Sequence, residues 1–318
     1  MAPSAYMNLN RIEFMVTYQC NGKCKHCSVG EKLNHSNSFT HVAAREAADA
    51  VETLARVFPI ASVMTFGGEP LLYPDVVCTI HGRARDCGIA DRQLITNGYF
   101  TKDDPKRQAV AEALAQAELT HLMLSVDAFH QETIPLDAVY AFAQYAQRSG
   151  IPNIRLHPAW VVDRSHQNPF NIKTEEILAR LADLSIPVSS GNNIFMAGNA
   201  TEHLSGYYDA PGFDLADSCG AMPYTQPLTN ITSLSIVPNG DVMVCGFVIG
   251  NIYNENIEEI VAGYDPHDNI WMNAILSGRA TGLIALAKSR GIMADASQCY
   301  SVCDLCRKIQ SLHIRLLS

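Results

Sequence analysis

Charge is scarce in this chain of 318 residues: Asp, Glu, Lys and Arg make up only 17% of it. The acids outnumber the bases, giving a formal net charge of −9. A protein that grips nucleic acid through its phosphates carries a basic footprint, so no nucleic-acid partner is expected. The sequence lacks an apolar run that reads as long enough to span a bilayer, so no membrane is expected either. Met1-Ala2-Pro3-Ser4-Ala5 lacks the basic and apolar regions of a signal peptide. These lacks point to the cytoplasm, where thiols stay reduced. Hydrophobic residues make up 47%, enough for one large domain or two modest ones.

Against that background, ten cysteines are many. In a reduced compartment they suggest metal binding rather than a disulfide framework. Three of them, Cys20, Cys24 and Cys27, lie within the single stretch Cys20-Asn21-Gly22-Lys23-Cys24-Lys25-His26-Cys27. Three thiolates on one tight loop can hold one metal centre from one side. Thiolates select zinc, copper(I) or iron–sulfur clusters. A 4Fe–4S cube usually takes four cysteines, so a loop with three leaves one iron for a ligand from outside the protein. Zinc knuckles favour a second C-x2-C pair nearby, whereas the next cysteine here is Cys78. Cys78 and Cys87 sit in a helical stretch and read as small buried hydrophobes.

The chain then alternates. Strands are expected at 12–17, 62–66, 92–96, 122–126, 154–162 and 187–195. Helices are expected at 41–57 with Thr40 as N-cap, then from about 75 to 88, and at 102–117, 136–148 and 174–184. A polar loop covers 30–38. Six strand–helix alternations between about 10 and 200 imply βαβ units and a parallel sheet curled into a full or partial barrel. In such folds functional residues lie at the C-terminal ends of strands. The cysteine loop, Gly67-Gly68-Glu69-Pro70, Thr96-Asn97-Gly98 and Ser125-Val126-Asp127 all take that position.

The spacing C-x3-C-x2-C followed by Gly67-Gly68-Glu69-Pro70 at the end of the second strand resembles the radical S-adenosylmethionine (radical SAM) superfamily. The resemblance implies an α/β partial (βα)6 TIM-like barrel over 1–200. It implies a 4Fe–4S cluster on Cys20, Cys24 and Cys27 whose open iron binds S-adenosylmethionine. Reductive cleavage then yields a 5′-deoxyadenosyl radical that abstracts hydrogen. Gly67, Gly68, Glu69 and Pro70 would meet the methionine amino group. Asn97, Ser125 and Asp127 are further cofactor candidates, and Arg155 could hold a carboxylate as a bidentate pair. Asp127 reads equally well as a turn residue, and Arg155 as half of a structural ion pair. His130 and His157 are weaker candidates, and His157 reads best as a satisfied core histidine. His26 stands where family members usually carry an aromatic residue.

After residue 200 the alternation stops, and 201–318 reads as a small α+β extension. Ile231–Val237 and Asp241–Cys245 flank Pro238-Asn239-Gly240 and predict a β-hairpin with an Asn-Gly turn. A long helix is expected from about Ile270 to Ser289, then Cys299-x3-Cys303-x2-Cys306 and a short basic helix. The hairpin and late cysteines resemble the SPASM or twitch extension of radical SAM enzymes, which carries an auxiliary 4Fe–4S cluster. Cys245, Cys299, Cys303 and Cys306 make a complete set, leaving Cys219 over. Alternatively Cys219 is a ligand and one of the last three is not. Zinc is the runner-up metal there.

A spare thiol can return hydrogen to a carbon radical. With Cys219 in that role, the chain is similar to radical SAM epimerases of peptides and aminoglycosides, and epimerisation is the expected reaction. If Cys219 is a ligand instead, a dehydrogenase or peptide-modifying oxidase is expected, passing an electron to the auxiliary cluster. A zinc-stabilised module without enzymatic activity is the remote alternative. The resemblance implies a small-molecule or peptide substrate and a flavodoxin- or ferredoxin-type electron donor.

Overall fold

The computed structural model describes residues 2–30, 39–220, 222 and 225–317. The chain forms two compact units: 10–208 with 235–241, and 1–9 with 209–234 and 242–318. Most of the expected 30–38 loop lies outside the described residues.

The larger unit follows the alternation. Its elements run β1 (Met7–Met15), α1 (Ala44–Val57), β2 (Ser62–Phe66), α2 (Pro74–Asp86), β3 (Asp91–Thr96), α3 (Asp104–Gln116), β4 (His121–Ser125), α4 (Leu136–Arg148) and β5 (Asn153–His157). β1 to β5 pair in sequence order, every pair parallel. The period of two explains the sheet's two faces. Ile12, Phe14, Val63, Leu94, Leu122, Leu124 and Leu156 are almost fully buried. The residues between them mix polar side chains (Glu13, Gln93 and Arg155) with Met64, Ile95 and Met123. There Arg11 donates to Glu13 at 2.7 Å and to Gln93 at 3.1 Å, tying β1 to β3. The helices cover the apolar side with small and aliphatic residues, such as Ala47, Ala48, Val51 and Leu54 of α1. Phe100 and Phe142 of α4 meet edge to face at 5.2 Å. The N-cap position of α1 is Ala43, not the expected Thr40. The Thr40 carbonyl instead accepts a hydrogen bond from the Thr17 hydroxyl.

The sixth repeat departs from expectation. Pro158 lacks an N–H and interrupts the ladder, so the strand expected at 154–162 is two strands. β6 (Ala159–Val161) leaves the main sheet and pairs in parallel with β7 (Asn192–Ile194). The result is an α/β fold with a mostly parallel central sheet, to which the sixth strand does not add. α5 (Pro169–Ala179) lies between β6 and β7, capped by Asn168, which accepts from the N–H groups of Phe170 and Asn171. Buried Asn171 bonds both backbone groups of Val161 and so fixes β6 on α5. Short α6 (Asn199–His203) follows β7.

The smaller unit contains β10 (Phe247–Asn251), α7 (Ile257–Ala262), α8 (Ile270–Ser289) and α9 (Val302–Leu317). β8 (Ile231–Ile236) and β9 (Asp241–Val244) form the expected hairpin. Its turn is not the two-residue Asn-Gly kind. Gly240 is left-handed (φ 83°) and Asn239 is not, and the Gly240 N–H returns to the Val237 carbonyl at 2.8 Å. That is the longer turn closed by one left-handed glycine. α8 corrects the reading that no run is long enough for a bilayer, since its length and composition would suffice. Its backbone breaks at Arg279 (φ 52°, ψ −149°), and Trp271, Met272, Ile275 and Leu283 are buried in the protein.

Trp160 is the largest fully buried side chain, and its Nε1 donates to the Ser190 carbonyl at 2.9 Å. Trp160→Ala is expected to cost about 3–5 kcal/mol through the cavity it leaves. Chemical denaturation followed by far-UV circular dichroism checks this, and an unchanged midpoint would contradict the packing described.

Candidate active site

The loop after β1 carries Cys20, Cys24 and Cys27. A Cβ on Gly22 would stand 3.5 Å from the sulfurs of both Cys20 and Cys24, so these two thiols face one spot. The Gly22 N–H donates to the Cys20 sulfur at 3.2 Å. Burial pushes the Cys20 thiol up to about 12, with Glu69 and the other two thiols adding to the effect. Cys27 is also raised by burial, eased by the backbone N–H groups of Gly30 and Val29. Three thiols close together, Cys24 buried and Cys20 and Cys27 half-buried, form a donor set that a cationic centre would stabilise.

Backbone contacts hold this loop. The N–H groups of Gly68 and Glu69 donate to the carbonyls of Thr17 and Gln19 at 2.7 and 2.8 Å. A Cβ on Gly67 would lie 2.6 Å from the Thr17 carbonyl oxygen, and one on Gly68 would collide with the Gln19 carbonyl. The two glycines therefore admit the chain's own cysteine loop against the end of β2. Glu69 is fully buried. Its carboxylate accepts from the Thr96 hydroxyl at 2.6 Å, the Asn97 N–H at 2.8 Å and the Leu71 N–H at 2.9 Å. Burial raises its pKa, and these three bonds oppose the rise. Pro70 opens a single 3-10 turn capped by Glu69. The Asn97 amide donates to the Asn21 side chain at 2.9 Å, which links the end of β3 to the cysteine loop.

The end of β4 brings in Asp127, fully buried. It accepts from the N–H groups of Phe129, His130 and Ala159 and from His130 Nδ1, at 2.8–3.1 Å. Burial works against its charge, but His130 beside it holds the carboxyl well below the usual range. His130 is pulled down by burial and raised more strongly by Asp127 and then Cys24. A ring nitrogen of His130, one of His26 and the Cys24 sulfur all lie within 4.8 Å of one another. His26 packs 4.9 Å from Phe129, ring to ring, and burial lowers its pKa to about 4, so it stays neutral. It occupies the expected aromatic position.

The remaining candidates are dispersed. Ser125 ends β4 opposite His157, whose ring meets the Ser189 hydroxyl at 2.8 Å. Arg155 stands exposed on β5, opposite Met123. Among the described residues, the structure does not bring it to the cysteine loop. Sequence reasoning singled out the stretches that hold Asn21 and Thr96 without giving either residue a role, and it missed Gly198 and Asn199. The N–H and side-chain amide of Asn199 donate to the carbonyls of Cys27 and Cys24 at 3.0 and 3.1 Å. Left-handed Gly198 lies so close to the Cys27 carbonyl that no Cβ fits. A Gly-Asn pair just past the last repeat was the only available signal.

A second group of thiols lies in the smaller unit. Cys219, Cys303 and Cys306 are half-buried. Burial pushes Cys219 up to about 12, and Cys245, Cys303 and Cys306 all add to that rise. Cys306 is raised to about 11, chiefly by burial and further by Cys303 and Cys245. Cys303 and Cys306 are one turn apart on α9. Gln310, a turn further on, donates to the Cys306 sulfur at 3.3 Å. Cys245 has φ 53° in the two-residue turn between β9 and β10, at a position that glycine normally fills. Cys299 differs from these four. It is fully buried, its sulfur donates to the Asp295 carbonyl at 3.5 Å, and its charged neighbours are Lys308, Asp304 and Asp295.

The family model described as the radical SAM superfamily matches residues 14–203. The chain belongs to the radical SAM superfamily. Membership implies a 4Fe–4S cluster and S-adenosylmethionine, and the three-thiol set of the first loop fits that cluster. Curated relatives include the GTP 3′,8-cyclase of Listeria monocytogenes, 31% identical over 121 residues (38% of this chain, 34% of the relative). Another is that of Xanthomonas axonopodis pv. citri, 34% identical over 123 residues (38% and 35%). The chain thus matches about a third of the length of these relatives. Among solved structures, it is similar to BtrN in complex with AdoMet and 2-DOIA (TM-score 0.47, 14% identity, 95% of this chain and 94% of that one). It is also similar to anSMEcpe with bound AdoMet (TM-score 0.49, 13% identity, 98% and 94%).

Changing Cys20, Cys24 and Cys27 together to Ala is expected to remove about four irons per chain after anaerobic reconstitution. It is also expected to abolish 5′-deoxyadenosine formation under reducing conditions. Iron assay and product chromatography check both, and retained iron would separate these thiols from the cluster.

Proposed function

We propose that this radical SAM enzyme oxidises its substrate by two hydrogens and carries a second 4Fe–4S cluster on Cys219, Cys245, Cys303 and Cys306. One observation carries the reading: the thiol of Cys219 shares its surroundings with Cys245, Cys303 and Cys306, while Cys299 faces Asp295 and Lys308. Four soft donors satisfy one cube. When bound, the first cluster supplies the electron that cleaves S-adenosylmethionine, and the second supplies an acceptor for the electron that leaves the substrate with a proton. The protein's own share is to hold both donor sets. Glu69, Asn97 and Asn199 fix the first loop, and the Cys245 turn and α9 fix the second set.

This grouping removes the spare thiol at Cys219 on which epimerisation depended, and so supports the oxidative alternative. It also favours Cys219 over Cys299 as a ligand. A small-molecule or peptide substrate and a flavodoxin- or ferredoxin-type donor remain part of the reading. The curated relatives favour a second reading, a nucleotide cyclisation such as their name describes. Stimulation of 5′-deoxyadenosine formation by GTP would support that reading over the first.

Cys219→Ala is expected to lower iron from about eight to about four per chain, while Cys299→Ala keeps all of it. The product is expected to be lighter than the substrate by two hydrogens in mass spectrometry. Full iron in Cys219→Ala together with a product of unchanged mass would restore the hydrogen-returning role of Cys219.

A further inference from the structure

Gln310 stands on α9 four residues beyond Cys306, and residues at that spacing are neighbours on one helix face. Its side chain is half-buried, and its Nε2 donates to the Cys306 sulfur at 3.3 Å. The same amide lies against the turn that carries Cys245. A Cβ on Gly246, the residue after that cysteine, would stand 3.4 Å from Gln310 Nε2 and 3.9 Å from its Oε1. Gln310 thus adjoins both segments that bring thiols together here, the β9–β10 turn and α9. Lys308, on the same helix, turns elsewhere: its ammonium pairs with Asp304 at 3.0 Å and reaches the sulfur of Cys299 at 3.7 Å.

We propose that Gln310 is a positioning residue for the second cluster: its amide N–H hydrogen-bonds the ligand sulfur of Cys306 and raises that cluster's reduction potential. The proposal rests on the second cluster described under Proposed function. A thiolate that ligates a metal has given up its proton, so it offers lone pairs alone, and the NH2 end of the amide is the end that fits it. The donor is neutral, and this hydrogen bond depends on no titrating side chain. Hydrogen bonds to the sulfurs of a cluster shift its potential. The reduced cluster is the more negative state, so a donor on a ligand sulfur stabilises it and moves the midpoint upward. A higher midpoint favours transfer of the substrate's electron to this cluster, which is the step that the oxidative reaction asks of it.

The test is a redox titration of the reconstituted full-length protein, monitored by electron paramagnetic resonance. The signal followed is the one that the Cys20/Cys24/Cys27→Ala variant keeps. In Gln310→Leu, which removes the donor at similar size, its midpoint is expected to become more negative with iron unchanged at about eight per chain. Gln310→Glu, which loses the donor and adds a carboxylate, is expected to fall further. Gln310→Lys, which keeps an N–H donor, is expected to stay at or above the wild-type value. Circular dichroism confirms that each variant is folded. An unchanged midpoint in folded Gln310→Leu overturns the proposal while the cluster assignment stands, as does an equal fall in the Leu and Lys variants. Loss of about four irons from folded Gln310→Leu also overturns it, because the amide would then be needed to hold the cluster. If the Cys20/Cys24/Cys27→Ala variant binds no iron, the second cluster itself is refuted and the proposal fails with it.

Discussion

The first cysteine loop depends on one buried carboxylate. Glu69 lies at the end of β2 with no exposure to solvent, where an unpaired charge would be costly. Three donors from two other segments offset that cost: Thr96 and Asn97 from the end of β3, and Leu71 from the following turn. Removing the carboxylate would leave all three donors without their partner. The same residue's N–H holds the Gln19 carbonyl, one residue before Cys20. The ends of β1, β2 and β3 are thus joined at one point, and a rigid sheet is converted into a fixed position for the thiols. Gly67 and Gly68 have a related role, since any side chain there would push the cysteine loop away.

Much of this was legible in the sequence. Five of the six strands fall where hydrophobic alternation places them, because half-buried parallel strands between amphipathic helices leave a strong period. The cysteine spacing and Gly67-Gly68-Glu69-Pro70 gave the site. The purpose of the glycines was less legible. Closeness to a ligand and closeness to the chain's own backbone demand the same residue, and only the fold distinguishes them. Pro158 was visible, but whether a proline ends a strand or begins another depends on what β6 finds to pair with, and β7 lies thirty residues on.

The second set of thiols shows a different limit. Cys299, Cys303 and Cys306 repeat the spacing of Cys20, Cys24 and Cys27, yet they are held differently. α9 begins at Val302, so Cys303 and Cys306 share one helical face while Cys299 precedes the helix. The Lys308 ammonium lies 3.7 Å from its sulfur and pairs with Asp304 at 3.0 Å, and this local network sets where the thiol points. Spacing along a chain counts residues. It does not fix the direction of a side chain when a helix starts part-way through the motif.

The division of the chain into units has a bearing on synthesis. Residues 1–9 belong with residues from 209 onward, whereas 10–208 make up nearly all of the other unit. Domains fold largely as the ribosome releases them. Residues 1–9 must therefore wait for these partners while 10–208 are made behind them. Tyr6 is an instance: its carbonyl receives the N–H of Ile231, a residue translated more than two hundred positions later. The smaller unit consequently closes only after the larger one has been made, and its thiols come together only once Cys306 has been translated.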